Sequence, residues 1–142
     1  GFVGDPSHID PTVLNKFAAA NIIPVIAPIG LGEEGQTFNI NADTVAGAIA
    51  SAVGAAKLVM MTDVEGLMDS SGKLVPKLTE IEAAAMLRDG TISGGMIPKI
   101  ETCVAAIKGK TEAAHILDGR VPHVLLLEIF TEHGVGTMIK SE

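Results

Sequence analysis

Short apolar runs alternate along the chain with segments in which apolar residues recur every three or four positions. Residues 22–29 and 57–64 are almost continuously apolar, which is typical of strands buried on both faces of a parallel sheet. Residues 113–117 and 136–139 predict two further strands, and residues 35–40 predict an irregular or hairpin segment. The alternation predicts the α/β class, with a mostly parallel central sheet in a three-layer αβα sandwich.

Several segments have the spacing or the end signals of helices. Asn41 is a candidate N-cap, Thr79 with Glu82 forms a capping box, and Pro98 is tolerated in a first helical turn. The predicted helices cover residues 11–21, 42–55, 81–88, 98–108 and 122–131. Because ligands of α/β proteins bind where strands end and helices begin, the loops before these helices are where we expect a site.

Composition fits one folded domain that spans residues 1–142, since 47% of the 142 residues are hydrophobic and 19% are charged. Ten Lys and Arg against 17 Asp and Glu give a net charge of −7, and Trp and Tyr are absent. Both features argue against a nucleic-acid partner. Pro24 and Pro28 interrupt the longest uncharged stretch, which argues against a membrane span. The single cysteine, Cys103, is expected to be buried in a helix, and we expect a cytoplasmic protein.

Two segments partly match the sequence motifs of phosphate-binding loops. Residues 30–35 have the GxGxxG spacing of a dinucleotide fingerprint, but no helix is predicted after them, and Glu33 and Glu34 would repel a pyrophosphate. Residues 109–111 read Gly-Lys-Thr, yet Val104 occupies the place of the upstream glycine of a Walker A loop. We therefore expect neither segment to bind phosphate.

The four histidines lack the spacing of a metal site. None of His8, His115, His123 and His133 has a Cys or His partner at helical distance, so we expect surface or capping roles and no protein-held metal. The sequence also lacks the local signature of a Ser-His-Asp nucleophile, which leaves acyl transfer unsupported.

Two segments carry more polar groups than their local structure requires. Asn41 and Asp43 fit an N-cap and a first-turn carboxylate, which leaves Asn39 without a structural role. Thr62 and Asp63 follow a buried strand, where they are either part of a ligand-binding rim or a solvated strand end.

Lys99 is the sharpest anomaly in the pattern. A lysine in the first turn of a helix opposes the helix dipole, so its position is unfavourable unless an anion lies nearby. Gly94 and Gly95 precede it and allow the backbone to approach a ligand closely. This combination predicts a phosphate site at the start of the helix. The alternative is that the Lys99 side chain simply extends into solvent.

These segments, in this order, resemble the amino-acid kinase family. Residues 38–43 are similar to the motif on its acetylglutamate side, residues 62–67 to its nucleotide-side motif, and residues 93–99 to its catalytic-lysine segment. Residues 123–139 are similar to the end of the arginine-inhibited members. The resemblance implies ATP-dependent phosphorylation of the γ-carboxylate of N-acetyl-L-glutamate in arginine biosynthesis. It also implies Mg²⁺ held mainly by the phosphates, L-arginine as an inhibitor, and a homo-oligomer.

The resemblance assigns a role to each matching residue. Lys99 would stabilise charge on the transferred phosphoryl group, Asp43 would orient Lys99, and Asn39 would hold the acetylglutamate backbone. Glu128 and Gly134 would bind the inhibitory arginine. The residues implied for the adenine and ribose site are Thr62, Asp63, Gly66, Leu67, Ile92, Ser93 and Met96.

Members of this family are much longer than 142 residues. The half that carries their glycine-rich loop, a second catalytic lysine and a substrate-binding arginine has no counterpart here. We therefore expect this chain to be the C-terminal, nucleotide-binding lobe, with the N-terminal substrate lobe outside the sequence, and to be inactive alone. Two alternatives stay open: a kinase of the same family with a different acceptor, and a non-catalytic α/β module that binds nucleotide or arginine.

Overall fold

The computed structural model describes residues 2–131 and 134–142. Helices and strands alternate through most of this range, as the sequence pattern predicts. In chain order the elements are α1 (Thr12–Ala19), β1 (Ile29–Leu31), β2 (Thr37–Asn39), α2 (Ala42–Val53), β3 (Lys57–Thr62), β4 (Lys77–Thr79), α3 (Glu80–Arg88), α4 (Met96–Gly109), β5 (Ala113–Asp118), α5 (Val124–Phe130) and β6 (Thr137–Lys140).

The main sheet has four strands in the order β3-β5-β6-β4. β3 pairs with β5 and β4 pairs with β6 in parallel, whereas β5 and β6 are antiparallel. The mostly parallel sheet of the predicted α/β class is therefore confirmed. Parallel pairing aligns Thr62 with Asp118, so the carboxyl ends of β3 and β5 lie together at one edge, where the Gly119 N–H donates to the Thr62 carbonyl at 2.7 Å.

Helices cover both faces of this sheet. Side chains alternate along β5: Ala114 and Ile116 are fully buried in the core with α4, and His115 points to the other face, where it contacts Glu128 of α5. The buried cluster also contains Leu58, Met60, Leu78, Ile100, Cys103 and Ile139, which confirms the prediction for Cys103. Three layers result, as the sequence predicts.

The predicted strand over residues 22–29 is wrong. Only Ile29–Leu31 is extended and paired, in a two-stranded antiparallel hairpin with Thr37–Asn39. Ile23 and Val25 are 89% and 97% exposed, and no residue of α1 is buried. An apolar run becomes a buried strand only when strands and helices surround it, and β3, at the end of the sheet order, is not paired with this run. The described residues of this chain supply no strand that pairs with residues 22–28, so this apolar run stays exposed here.

Strand β4 and the start of α3 also differ in how far the sequence predicts them. β4 is a three-residue strand directly after Pro76, too short to stand out as an apolar run. The capping box at Thr79 is present, with the Glu82 N–H donating to Thr79 Oγ1 at 3.2 Å and the Thr79 N–H donating to Glu82 Oε2 at 2.7 Å. In the described part of the chain, no helix has the length and apolar character needed to cross a bilayer.

Candidate functional site

The first turn of α2 carries an aspartate held in place by an N-cap. Asn41 Oδ1 accepts hydrogen bonds from the Asp43 N–H at 2.9 Å and from the Thr44 N–H at 3.3 Å. Two backbone donors at the helix start are thereby satisfied, and the Asp43 carboxylate lies where the helix dipole favours negative charge. The structural roles expected of Asn41 and Asp43 are confirmed.

Lys99 in the first turn of α4 reaches this carboxylate. Its Nζ atom lies 2.8 Å from Asp43 Oδ2, across 56 residues of sequence. The two side chains are 22% and 29% exposed, so the pair is accessible from solvent but partly sheltered. Asp43 offsets the unfavourable position of a lysine at a positive helix end. The predicted proximity of Lys99 and Asp43 is therefore present in the structure.

Close packing between α2 and α4 brings the two residues together. A Cβ atom on Gly47 would lie 2.5 Å from Thr102 Cγ2, and one on Gly109 would overlap Ser51. The facing pairs advance in the same direction along both helices, so α2 and α4 run parallel and their N-termini lie side by side. Two positive helix ends and the Lys99 ammonium group then surround a single carboxylate. Positive charge exceeds negative charge at this place, which favours the binding of an anionic ligand.

A cavity of about 390 Å³ opens beside the start of α4. Its lining includes Gly66, Leu67, Ile92, Ser93 and Met96, all of which the family resemblance implies for a nucleotide site. Gly66 and Leu67 belong to the loop after β3, Ile92 and Ser93 belong to the loop before α4, and Met96 begins α4. The structure thus brings these five residues together around one space.

The cavity and the ion pair share the first turn of α4. Met96 lines the cavity and Lys99 follows it by three positions, which places both on one face of the helix. Gly94, at φ +59°, and Gly95 have open space where a Cβ would stand. A ligand seated in the cavity can therefore extend past these glycines toward Lys99.

Thr62 and Asp63 are at the carboxyl end of β3 but outside the cavity lining. Their side chains contact each other, with Thr62 Oγ1 donating to Asp63 Oδ1 at 3.2 Å. Asn39, the last residue of β2, has an exposed side chain, while its backbone bonds Phe2 and Gly4. The structure therefore does not join Thr62, Asp63 or Asn39 directly to the ion pair.

Sequence reasoning missed an ion pair at the end of β5. Arg120 donates from Nε to Asp118 Oδ1 at 2.9 Å and from a terminal nitrogen to Oδ2 at 2.8 Å. The Arg120 hydrogen bonds lower the pKa of Asp118 to about 2, and Asp118, then Asp63 and Glu65, raise the pKa of Arg120. The only signal in the sequence is two opposite charges two residues apart after a predicted strand.

A second cluster lies on the other face of the sheet, and it overturns the surface role expected for His115. His115 is 2% exposed, and its Nδ1 lies 2.7 Å from Glu128 Oε1. Glu128 Oε2 accepts from the Val135 N–H at 3.0 Å, and a Cβ on Gly134 would lie 3.1 Å from the same oxygen. Among residues 2–131 and 134–142, His115 Nε2 is buried without a hydrogen-bond partner.

A histidine inside a predicted buried strand was the signal for this cluster, because buried polar groups need partners. His8 and His123 are exposed, as expected, and His133 lies outside the described residues.

Cys103 lies one turn after Lys99 and takes no part in the polar site. Burial, followed by the nearby Asp43 carboxylate, raises the pKa of its thiol to about 12. Its sulfur lies 3.3 Å from Met60 Sδ inside the core. A protonated, enclosed thiol of this kind is a structural group.

Comparison with known proteins identifies the family of this chain. The family model of the amino acid kinase family matches residues 1–118. The chain is 58% identical over 142 residues to the acetylglutamate kinase of Gluconacetobacter diazotrophicus, covering 100% of this chain and 45% of that protein. It is 59% identical over 139 residues to that of Rhodospirillum centenum, covering 98% of this chain and 46% of that protein. The chain thus spans about half the length of the curated relatives it matches.

Solved structures share the fold. The N-acetylglutamate synthase from Neisseria gonorrhoeae, complexed with coenzyme A and L-arginine, matches with a TM-score of 0.93 and 30% identity, over 100% of this chain and 33% of that one. The carbamate kinase from Giardia lamblia bound to AMP-PNP matches with a TM-score of 0.74 and 18% identity, over 99% of this chain and 47% of that one, which shows the fold alone. The chain therefore belongs to the amino acid kinase family.

Proposed function

We propose that this chain is the ATP-binding lobe of an acetylglutamate kinase, which phosphorylates the γ-carboxylate of N-acetyl-L-glutamate in arginine biosynthesis. The observation that carries the proposal is the Lys99–Asp43 ion pair of 2.8 Å at two adjacent helix N-termini. It is supported by relatives of that name at 58% and 59% identity over nearly the whole chain.

Phosphoryl transfer requires mainly positioning and charge stabilisation from a protein. In the proposed reaction a γ-carboxylate oxygen bonds to the terminal phosphorus of ATP, and the bond from that phosphorus to the bridging oxygen breaks, so that ADP leaves with the electron pair. Lys99 and the two helix ends stabilise negative charge on the phosphoryl group as it moves. Asp43 orients the Lys99 ammonium group and receives no proton in this step.

The nucleotide is proposed to bind with its adenine and ribose in the cavity next to Leu67, Ile92 and Met96. From there its phosphates extend past Gly94 and Gly95 toward Lys99. In residues 2–131 and 134–142 no three His, Cys, Asp or Glu side chains form a group that could hold a metal ion. We propose that Mg²⁺ is carried mainly by the phosphates of the nucleotide, where it would offset their charge.

The acceptor site is proposed to form around Asn39, with the remaining contacts supplied from outside these 142 residues. The exposed side chain of Asn39 is free to bind the acetylglutamate backbone. Because the described residues provide one lysine at the site, we propose that the chain alone binds ATP without transferring its phosphate. Homo-oligomerisation of the intact enzyme stays a prediction.

A hybrid enzyme tests the catalytic role. The chain replaces the matching part of the acetylglutamate kinase of Gluconacetobacter diazotrophicus, and acetylglutamyl phosphate is trapped as its hydroxamate. We expect turnover with N-acetyl-L-glutamate and not with carbamate. Lys99→Met should lower kcat by about two orders of magnitude or more. Lys108→Met, in the last turn of the same helix, is the matched control and should leave kcat unchanged. Equal rates for the two variants would refute the role of Lys99, and turnover by the isolated chain would refute its inactivity.

An effector role is proposed for the cluster on the other face of the sheet. Glu128 and Gly134 adjoin each other, and His115 adds a buried imidazole that the sequence did not single out. The Neisseria gonorrhoeae structure contains L-arginine, which supports arginine as the ligand. Calorimetry with L-arginine should give saturable heat that Glu128→Gln removes, while Glu142→Gln retains it. Retention of binding by Glu128→Gln would contradict this assignment.

A further inference from the structure

A buried hydroxyl group on β6 is bonded to the loop that lines the proposed nucleotide cavity. Thr137 is 1% exposed and lies on the strand next to β5. Its Oγ1 accepts a hydrogen bond from the Leu67 N–H at 2.8 Å and donates one to the Val75 carbonyl at 2.8 Å. One side chain therefore joins both ends of the loop between residues 67 and 75 to the sheet.

The loop itself is closed by its own backbone. The Val75 N–H donates to the Leu67 carbonyl at 2.8 Å, and Met68 and Leu74 form an isolated antiparallel bridge. Thr137 is bonded to the same two residues that this closure joins. The Thr137 hydroxyl therefore holds both ends of the loop against the sheet, next to the Met138 N–H that donates to the Pro76 carbonyl at 3.0 Å.

Gly66 allows this approach. Its φ of +148° is a conformation that other residues rarely adopt, and a Cβ there would lie 2.6 Å from Thr137 Oγ1 and 2.8 Å from Leu74 Cδ1. Any other residue would displace either the threonine or the loop. Gly66 is therefore required by contact with Thr137 as well as by its own backbone angle.

The cavity wall next to this contact includes Gly66, Leu67 and Met68. Leu67 is 2% exposed and follows Gly66 directly, so movement of its backbone by a fraction of an ångström changes the shape of the cavity. Ile92 and Met96 line the cavity from other elements: the Ile92 N–H donates to the Met86 carbonyl of α3 at 3.1 Å, and Met96 is the first residue of α4. The hydrogen bonds of Thr137, in β6, therefore help to set the distance between these two groups of lining residues.

We infer that Thr137 is a positioning residue for nucleotide binding: it holds Gly66 and Leu67 at the separation from Ile92 and Met96 that an adenine ring needs. This inference rests on the proposed function, because it takes the cavity to be the nucleotide site. Thr137 lies behind the cavity wall and does not line the cavity.

Calorimetry with Mg-ATP on the whole 142-residue chain, at a temperature where every variant is folded, tests the inference. Thr137→Val keeps the shape of the side chain but leaves the Leu67 N–H and the Val75 carbonyl unpaired, so we expect ATP affinity to fall about five- to a hundredfold. Thr137→Ser restores the hydroxyl and should bind within about threefold of the unaltered chain. Hydrogen exchange at the Leu67 amide should accelerate in Thr137→Val alone.

Ile139→Val is the matched control, since it removes one methylene from a fully buried side chain of the same strand and leaves the loop contacts intact. It should lower thermal stability without changing ATP affinity. If Thr137→Val binds ATP as tightly as the unaltered chain, or Ile139→Val weakens binding equally, the inference is wrong while nucleotide binding stands. If the unaltered chain gives no saturable heat with Mg-ATP, both the inference and the proposed nucleotide site are wrong.

Discussion

The packing of Gly47 against Thr102 determines how closely Asp43 and Lys99 approach, and it can be tested by substitution at both positions. A Cβ at residue 47 would lie 2.5 Å from Thr102 Cγ2, well inside normal contact distance, whereas the Thr102 carbonyl at 3.5 Å would accommodate it. Thr102→Ser removes the offending methyl group and keeps the hydroxyl. The double variant should therefore accept the Gly47→Ala substitution without displacement of either helix.

Two effects oppose each other in Gly47→Ala. Overpacking of this kind costs about 1–3 kcal/mol, and replacing a mid-helix glycine by alanine returns about 1 kcal/mol through helix propensity. The single substitution should therefore destabilise the chain by about 0–2 kcal/mol. In the Thr102→Ser background only the propensity gain remains. Because propensity cancels in the double-mutant cycle, the coupling energy should equal the overpacking cost, about 1–3 kcal/mol.

Urea unfolding of the four proteins, followed by circular dichroism, measures this coupling. With a slope of about 2 kcal/mol/M, the coupling corresponds to a midpoint difference of about 0.5–1.5 M. Equal slopes of unfolding free energy against urea concentration would show that all four proteins expose the same surface on unfolding, so that their free energies can be compared. A coupling below about 0.5 kcal/mol would refute the close helix contact and, with it, the explanation of the Lys99–Asp43 distance.

Three further predictions address other parts of the chain. Asp118→Asn removes a carboxylate whose pKa Arg120 lowers from 3.8 to about 2. The unaltered chain should therefore be more stable than this variant above about pH 4, and the difference in unfolding free energy should disappear toward pH 2. Urea unfolding at each pH measures this difference, and a difference that does not change with pH would contradict the pairing. Cys103, with its thiol pKa raised to about 12, should resist alkylation by iodoacetamide at pH 8 until urea unfolds the chain, and rapid modification of the native protein would refute its burial. Val25→Asp should alter the unfolding free energy by less than about 0.5 kcal/mol, because Val25 is 97% exposed, and a larger loss would show that residues 22–29 are packed.

Most of the secondary structure follows from local sequence features. The caps at Asn41 and Thr79 involve neighbours two or three residues away, so the starts of α2 and α3 could be read directly. Residues 22–29 could not be assigned correctly, because an apolar run specifies a preference for burial and not the presence of neighbours to bury it. β4 depends on pairing with β6, which is distant in sequence.

The candidate site shows the same division. Lys99 stood out because its charge opposes the dipole of its own helix, which is a local conflict. His115 was misjudged because its partner, Glu128, lies on another element, and no spacing rule connects a strand residue with a helix residue 13 positions later. Thr137 gave no signal, since a single threonine in a short strand is ordinary until its contacts with Leu67 and Val75 are known.

The sequence by itself determined the α/β class, the helix starts, the buried cysteine and the residue types of the polar site, because periodicity, capping and charge act over a few residues. Tertiary structure alone decided the parallel packing of α2 and α4, the distance between Asp43 and Lys99, and the cavity shared by two loops. It also decided that residues 22–29 stay exposed and that His115 is enclosed. These outcomes depend on which surfaces meet, and that depends on close contacts such as those of Gly47 and Gly66 between segments far apart in the chain.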